Sequence, residues 1–162
     1  MKGLLIILML MLASGCSHVI SKDIRQTADP QPSHETLFGS PERFAGRVVI
    51  VGGIIASSSN TDEGTYIEVV SKPLTHTGRP EKTDATYGRF LILYPGFLET
   101  SSYSKNREIT AAGTVNGIRK QKLGEIEYNY LFITAREIYL FEKDTDRYYP
   151  PVHFGIGIFK GF

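Results

Sequence analysis

The sequence predicts an all-β fold, a small five- to six-stranded OB-like barrel preceded by a signal segment and a flexible tether. Three observations carry that expectation. Short runs rich in β-branched residues, such as Arg47 to Ala56 and Arg89 to Tyr94, are separated by clusters of Gly, Asn, Asp and Pro. Glycines also interrupt the runs, at Gly52-Gly53 and Gly113, where a strand bulges, bends or meets another backbone closely. After Cys16 no segment shows the apolar period of a long amphipathic helix. Closing such strands into a barrel removes the sheet edges that would otherwise invite aggregation.

The chain opens with a positive Met1-Lys2, an apolar run from Leu4 to Leu12, and the small residues Ala13, Ser14 and Gly15. This is the layout of an export signal, and the run falls short of the ~20 apolar residues that cross a bilayer as a helix. Cys16 follows directly. Ala13-Ser14-Gly15-Cys16 resembles the lipobox cut by the lipoprotein signal peptidase, with Ala13 where Leu is commoner. Small residues at Ala13 and Gly15 also suit an ordinary signal peptidase, which would leave Cys16 free. In the lipoprotein reading, Cys16 receives a diacylglyceryl thioether and an N-acyl chain. Two or three chains hold a protein firmly on a membrane where one holds it only marginally. Ser17, in place of the Asp that retains lipoproteins in the inner membrane, points to the outer membrane.

The expected division is therefore residues 1–15 as signal peptide, 16–40 as lipidated N-terminus and tether, 41–142 as barrel and 143–162 as an aromatic, Gly- and Pro-containing tail. The tether rests on the run TADPQPSHE, which has two prolines and no periodicity. Leu37, Phe38 and Pro41 mark where packing should begin. Strands follow at Arg47 to Ala56, Thr65 to Val70, Arg89 to Tyr94 and Arg107 to Ile118, then one or two more up to Phe141. SSSNTDEG reads as a loop, Ser71 to Gly88 as an excursion, and Asn116-Gly117 as a hairpin turn.

Composition narrows function. The chain has 162 residues and a formal net charge of +1; loss of Lys2 with the signal leaves basic and acidic residues equal. A nucleic-acid binder would carry a basic excess, so no nucleic acid is expected. One cysteine excludes an internal disulfide and any CxxC site.

Four blocks, VGGIIASSSN, EVVSKPLTHTGRP, YGRFLILYPGFLE and ITAAGTVNG with GEIEYNYLFITA, cover most of residues 47–140. In that order they resemble the Slp family, the starvation-inducible outer-membrane lipoproteins of Gram-negative bacteria. Aromatic positions where the family often has Trp are Val, Tyr or Phe here. The resemblance implies an outer-membrane location on the periplasmic face, lipidation at Cys16 and an association with stationary-phase and stress conditions, including acid. It implies no particular chemistry.

The residues themselves supply no catalytic constellation. His18, His34, His76 and His153 lack ligand spacing, so no metal and no cofactor beyond the acyl chains is expected. Glu125 and Glu127 share a strand face, but exposed strand-end carboxylates are the ordinary reading. Gly52-Gly53 matches no phosphate loop, and no GxSxG surrounds the serines. Arg79, between Gly78 and Pro80, and Arg89, after Gly88, are the candidates for contact with a ligand or partner. Their ordinary role would be to pin the excursion to the barrel by bonding backbone carbonyls. The alternating Tyr128, Tyr130, Phe132, Tyr139 and Phe141 read as packing, although OB-type barrels also stack ligands on exposed aromatics. The expectation is a non-enzymatic outer-membrane lipoprotein with a structural or binding role in the envelope. The alternative is a periplasmic module binding an oligosaccharide or anionic ligand. Partners are then the membrane and an envelope protein or glycan; oligomeric state is open.

Overall fold

A computed structural model of the chain describes residues 18–143. Five strands close into a barrel in the order β1-β2-β3-β5-β4: β1 Val48–Thr61, β2 Gly64–Ser71, β3 Arg89–Tyr94, β4 Glu108–Leu123 and β5 Ile126–Leu140. All pairings are antiparallel except β3 with β5, which run parallel from Phe90↔Leu131 to Leu93↔Thr134. That connectivity is the OB-type barrel expected from the sequence.

The alternation of each strand separates its two faces. Inward residues Val49, Val51, Ile67, Val69, Phe90, Ile92, Ile109, Ala111, Leu131 and Ile133 form the core. Leu37 and Phe44 join it from the segment before β1, and Phe38 packs edge-on against Phe90 at 6.1 Å. Leu98 and Tyr103, in the connection leaving β3, pack against the same core. Tyr128, Tyr130 and Phe132 take the outward phase of β5; Tyr130 is nonetheless buried there, and Tyr128 and Phe132 are half-buried.

Gly52-Gly53 is a close approach of backbones rather than a bulge. A Cβ on Gly53 would fall 1.9 Å from the Val70 carbonyl oxygen, because β1 crosses there from pairing β4 alone to pairing β4 and β2 together. The bulge of β1 comes later, between Ile55 and Ser57, and the strand continues through SSSN to Thr61. Asn116-Gly117 is likewise not the hairpin turn. It is a bulge inside β4, with Gly117 at φ 101° and the Asn116 side chain donating to Thr134 Oγ1 at 2.7 Å. The turn lies at Gly124-Glu125, so β4 and β5 form one long hairpin.

The described part of the span read as a tether is packed. It contains α1 (Lys22–Thr27) and α2 (His34–Gly39) and buries Ile20, Ala28 and Leu37; a 3-10 turn (Pro41–Phe44) then leads into β1. Val19 N–H donates to the Thr77 carbonyl at 3.0 Å, and Ser21 Oγ donates to Glu137 Oε2 at 2.7 Å. Further on, Gln31 Oε1 accepts from Ile50 N–H at 3.0 Å, occupying a stretch of β1 that β2 does not reach. With Leu74 and Gly78 of the excursion beside Gly52 and Thr110, this wrap covers the outside of β1 around Ile50 to Gly52 and of β4 around Thr110. It does not reach the outside of β2, β3 and the adjoining part of β5, where Leu91 and Tyr130 are buried by their neighbours and Tyr66, Arg89, Leu93 and Phe132 keep part of their surface.

Candidate functional site on the open barrel face

Register brings the outward residues of that face together. Glu68 lies opposite Leu91, Leu91 opposite Phe132, and Arg119 opposite Tyr130. Two groups result.

The first centres on Glu68. Its carboxylate accepts from Arg89 Nη1 at 2.7 Å, from the Tyr130 hydroxyl at 3.0 Å and from Ser57 Oγ at 3.0 Å. Burial alone would raise the Glu68 carboxyl. The bonds from Arg89, Tyr130 and Ser57, with the Arg89 charge, outweigh burial and hold it below the ordinary value of 4.5. Burial, then the bond to Glu68, pushes the Tyr130 hydroxyl up to about 12. Tyr128 meets Tyr130 edge-on at 4.8 Å and accepts from Arg89 N–H at 3.1 Å.

The second group is a platform. Tyr66 and Phe132 lie 6.2 Å apart between ring centroids and 17° from parallel. The Arg119 guanidinium sits 4.7 Å from the first centroid and 5.2 Å from the second, and its Nη1 donates to the Tyr66 hydroxyl at 2.6 Å. That hydroxyl donates in turn to Glu63. The bond to Glu63, then burial, raises the Tyr66 pKa. An arginine lying over two half-exposed rings can receive a carboxylate or phosphate from above, and the rings beneath can stack a sugar or base if it moves aside.

Of the sequence candidates only Arg89 falls in these groups. Arg89 is held by Glu68 within the first group. Arg79 Nε bonds Glu108 Oε2 at 2.7 Å, with its guanidinium 5.1 Å from the Phe141 centroid, which pins the excursion to β4. Arg79 thus fastens the excursion to β4 through a carboxylate, and Arg89 fastens β3 to β2 through Glu68. Glu125 sits in the hairpin turn and Glu127 just after it, both exposed. No group of His, Cys, Asp or Glu among the described residues could hold a metal. No helix among them is long and apolar enough to cross a membrane. Ala13, Ser14, Gly15, Cys16, Ser17, His153 and nearly all of the 143–162 tail lie outside the described residues.

Arg119 was not singled out by sequence reasoning, because it sits in a polar run, Arg119 to Lys122, that reads as a solvated strand end. Its usable signal was alternation: Tyr66 and Phe132 occupy the outward phase of strands whose inward phase is Ile67 and Ile133.

The family model of the outer membrane lipoprotein Slp family matches residues 13–158. The chain belongs to the Slp family. Outer membrane protein Slp of Escherichia coli (strain K12) is 27% identical over 139 residues, covering 85% of this chain and 73% of that protein. An uncharacterized protein of Haemophilus influenzae is 30% identical over 105 residues, covering 64% of this chain and 57% of its own length. The Slp match runs from Ala13 through both groups of this face, so the Ala13-Ser14-Gly15-Cys16 stretch and the barrel fall within one family unit. Slp membership locates the protein at the outer membrane.

Proposed function

We propose that this Slp-family chain is a non-enzymatic lipoprotein, held to the outer membrane by acyl chains on Cys16, whose barrel works as a binding module. The reading of the anchor rests on the sequence Ala13-Ser14-Gly15-Cys16 after an apolar run. The reading of the barrel rests on one observation: the wrap covers β1 and β4 only around Gly52 and Thr110, while the Tyr66, Phe132 and Arg119 platform lies beyond it and keeps part of its surface exposed. OB-type barrels bind oligosaccharides and oligonucleotides on the strand 2–3 face, and the charge balance disfavours the second. Because Arg119 already covers both rings, a neutral sugar gains little by displacing it. An acidic or phosphorylated glycan, or an acidic loop of an envelope protein, takes up its charge as well. A role under stationary-phase or acid stress accords with the family resemblance.

Intact-mass measurement of wild type and Cys16→Ser, with membrane fractionation, tests the anchor. An unacylated, soluble wild type would be fatal to it. For the face, a photo-crosslinking residue at Leu93, beside Tyr66, should capture an envelope component during acid or starvation stress, and Arg119→Ala should abolish capture. Equal capture from a probe at Phe97, off this face, would overturn the binding role.

A further inference from the structure

We infer that the corner of the barrel at His18 is a seat for the headgroup of an anionic phospholipid, in the leaflet that holds the Cys16 acyl chains. The inference rests on the acylation of Cys16 proposed above.

Reach comes first. Val19 is bonded to Thr77, Ile20 is fully buried, and Ser21 is bonded through N–H and Oγ to Glu137, so the chain is fixed to the barrel from this point on. Only Ser17 separates His18 from Cys16. Two residue steps span at most about 7 Å. Acyl chains on Cys16 therefore hold this corner at headgroup depth, where a free tether would have let the barrel stand off.

The second observation is what lies there. A depression of about 470 Å³ is lined by His18, Lys22, Arg25, Asp29 and Gln31, among others. Lys22 and Arg25 are exposed, with one carboxylate, Asp29, facing them. Arg25 is oriented by its Nε, which donates to the Ile20 carbonyl at 3.1 Å, and Lys22 has no bonded partner among the described residues. Two cations against one lining carboxylate form a modest positive hollow; Glu137, the other carboxylate near His18, is taken up by Ser21, and the Gln31 amide is bonded to the Ala28 carbonyl and the Ile50 N–H. A phosphodiester fits it as a charge and as a hydrogen-bond acceptor. Free anions in the periplasm are available to any such hollow. This one is presented to a surface where phosphates are concentrated, which is why a lipid headgroup is the occupant assigned.

Because the chain has no tryptophan, a single introduced one reports without background. The acylated full-length protein, verified by intact mass, is placed in phosphatidylethanolamine vesicles containing phosphatidylglycerol. Gln26→Trp, in the wall of the hollow, should be quenched more strongly by brominated phosphatidylglycerol than by brominated phosphatidylethanolamine. Ile126→Trp, next to the hairpin turn, should be quenched far less by either. Lys22→Ala should cut the phosphatidylglycerol preference about fivefold, the worth of one basic residue near an anionic surface, and Lys22→Arg should keep it. Equal quenching at Gln26 and Ile126 overturns the seat, as does equal quenching by the two lipids. So does loss of the preference in millimolar inorganic phosphate, which would make the hollow a free-anion site. A chain without acyl mass overturns the anchor itself, a result distinct from all of these.

Discussion

The Tyr130 hydroxyl on β5 donates to Glu68 on β2 at 3.0 Å, across the intervening strand β3. Leu91 of β3 lies between them and is 4% exposed although it faces outward. The bond ties together strands that share no ladder, and Arg89 and Ser57 complete the acceptor positions of the same carboxylate.

Glu68→Gln should therefore cost about 1–3 kcal/mol at neutral pH, measured by urea unfolding. The folded pKa of Glu68 lies below its ordinary 4.5. Its contribution is thus fully present above that value and is lost as pH falls through the lowered one. The gap between wild type and Glu68→Gln should close at strongly acid pH and persist at pH 5. A constant gap across that range would contradict the assignment.

Tyr130 behaves oppositely at the alkaline end. Its folded pKa of about 12 exceeds the ordinary 10.0, so its contribution is present below 10 and is lost as pH rises toward 12. Thermal unfolding of Tyr130→Phe should show a flatter alkaline limb than wild type.

His34 stacks on Tyr87 with centroids 5.2 Å apart, and its buried Nε2 finds no partner among the described residues. Burial lowers its pKa from 6.5. A histidine kept neutral in the fold contributes above 6.5, and the contribution is lost as pH falls through the lowered value. His34→Phe keeps the stacking and removes the proton. It should gain about 1 kcal/mol and lose part of the acid sensitivity between pH 7 and 5, as calorimetry would show.

Gly53→Ala should prevent folding or cost more than about 3 kcal/mol, since no backbone shift at the Val70 carbonyl is free of the β1–β2 ladder. Gly39→Ala, in α2 with nothing within 4 Å of the new Cβ, should be neutral or gain up to about 1 kcal/mol. A soluble, fully stable Gly53→Ala would show that the strand crossing has been misread.

Glu137→Gln should weaken the Ser21 clamp. Limited trypsin digestion after Lys22 and Arg25 should then speed up several-fold while the barrel core stays resistant. Unchanged digestion would mean that Ile20 alone holds the segment.

The barrel was legible because period-2 alternation survives in β2 and β3; β3 runs from Arg89 to Tyr94 as the sequence suggests. Three features were not legible. The wrap before β1 owes its order to Ile20, Ala28 and Leu37, single apolar residues too widely spaced to form a periodic face, so tertiary contact alone makes those short helices. Asn116-Gly117 has the chemistry of a hairpin turn and of a glycine bulge alike, and only the partner strand decides between them. The platform joins Tyr66 of β2 to Arg119 of β4 and Phe132 of β5, and no local pattern announces a meeting of three strands.

The clamp at Ser21 also orders events in time. Its acceptor, Glu137, lies 116 residues further along the chain, on the last strand. The amino end of a chain is synthesised first, so Ser21 is present long before its clamp: Glu137 joins the ring only when β5 pairs with β3 and β4. Until then the segment has only contacts with earlier residues, such as Val19 with Thr77, and lacks the Ser21 clamp. Only a completed barrel supplies the full grip, so a chain broken off before Glu137 would leave Ser21 undocked.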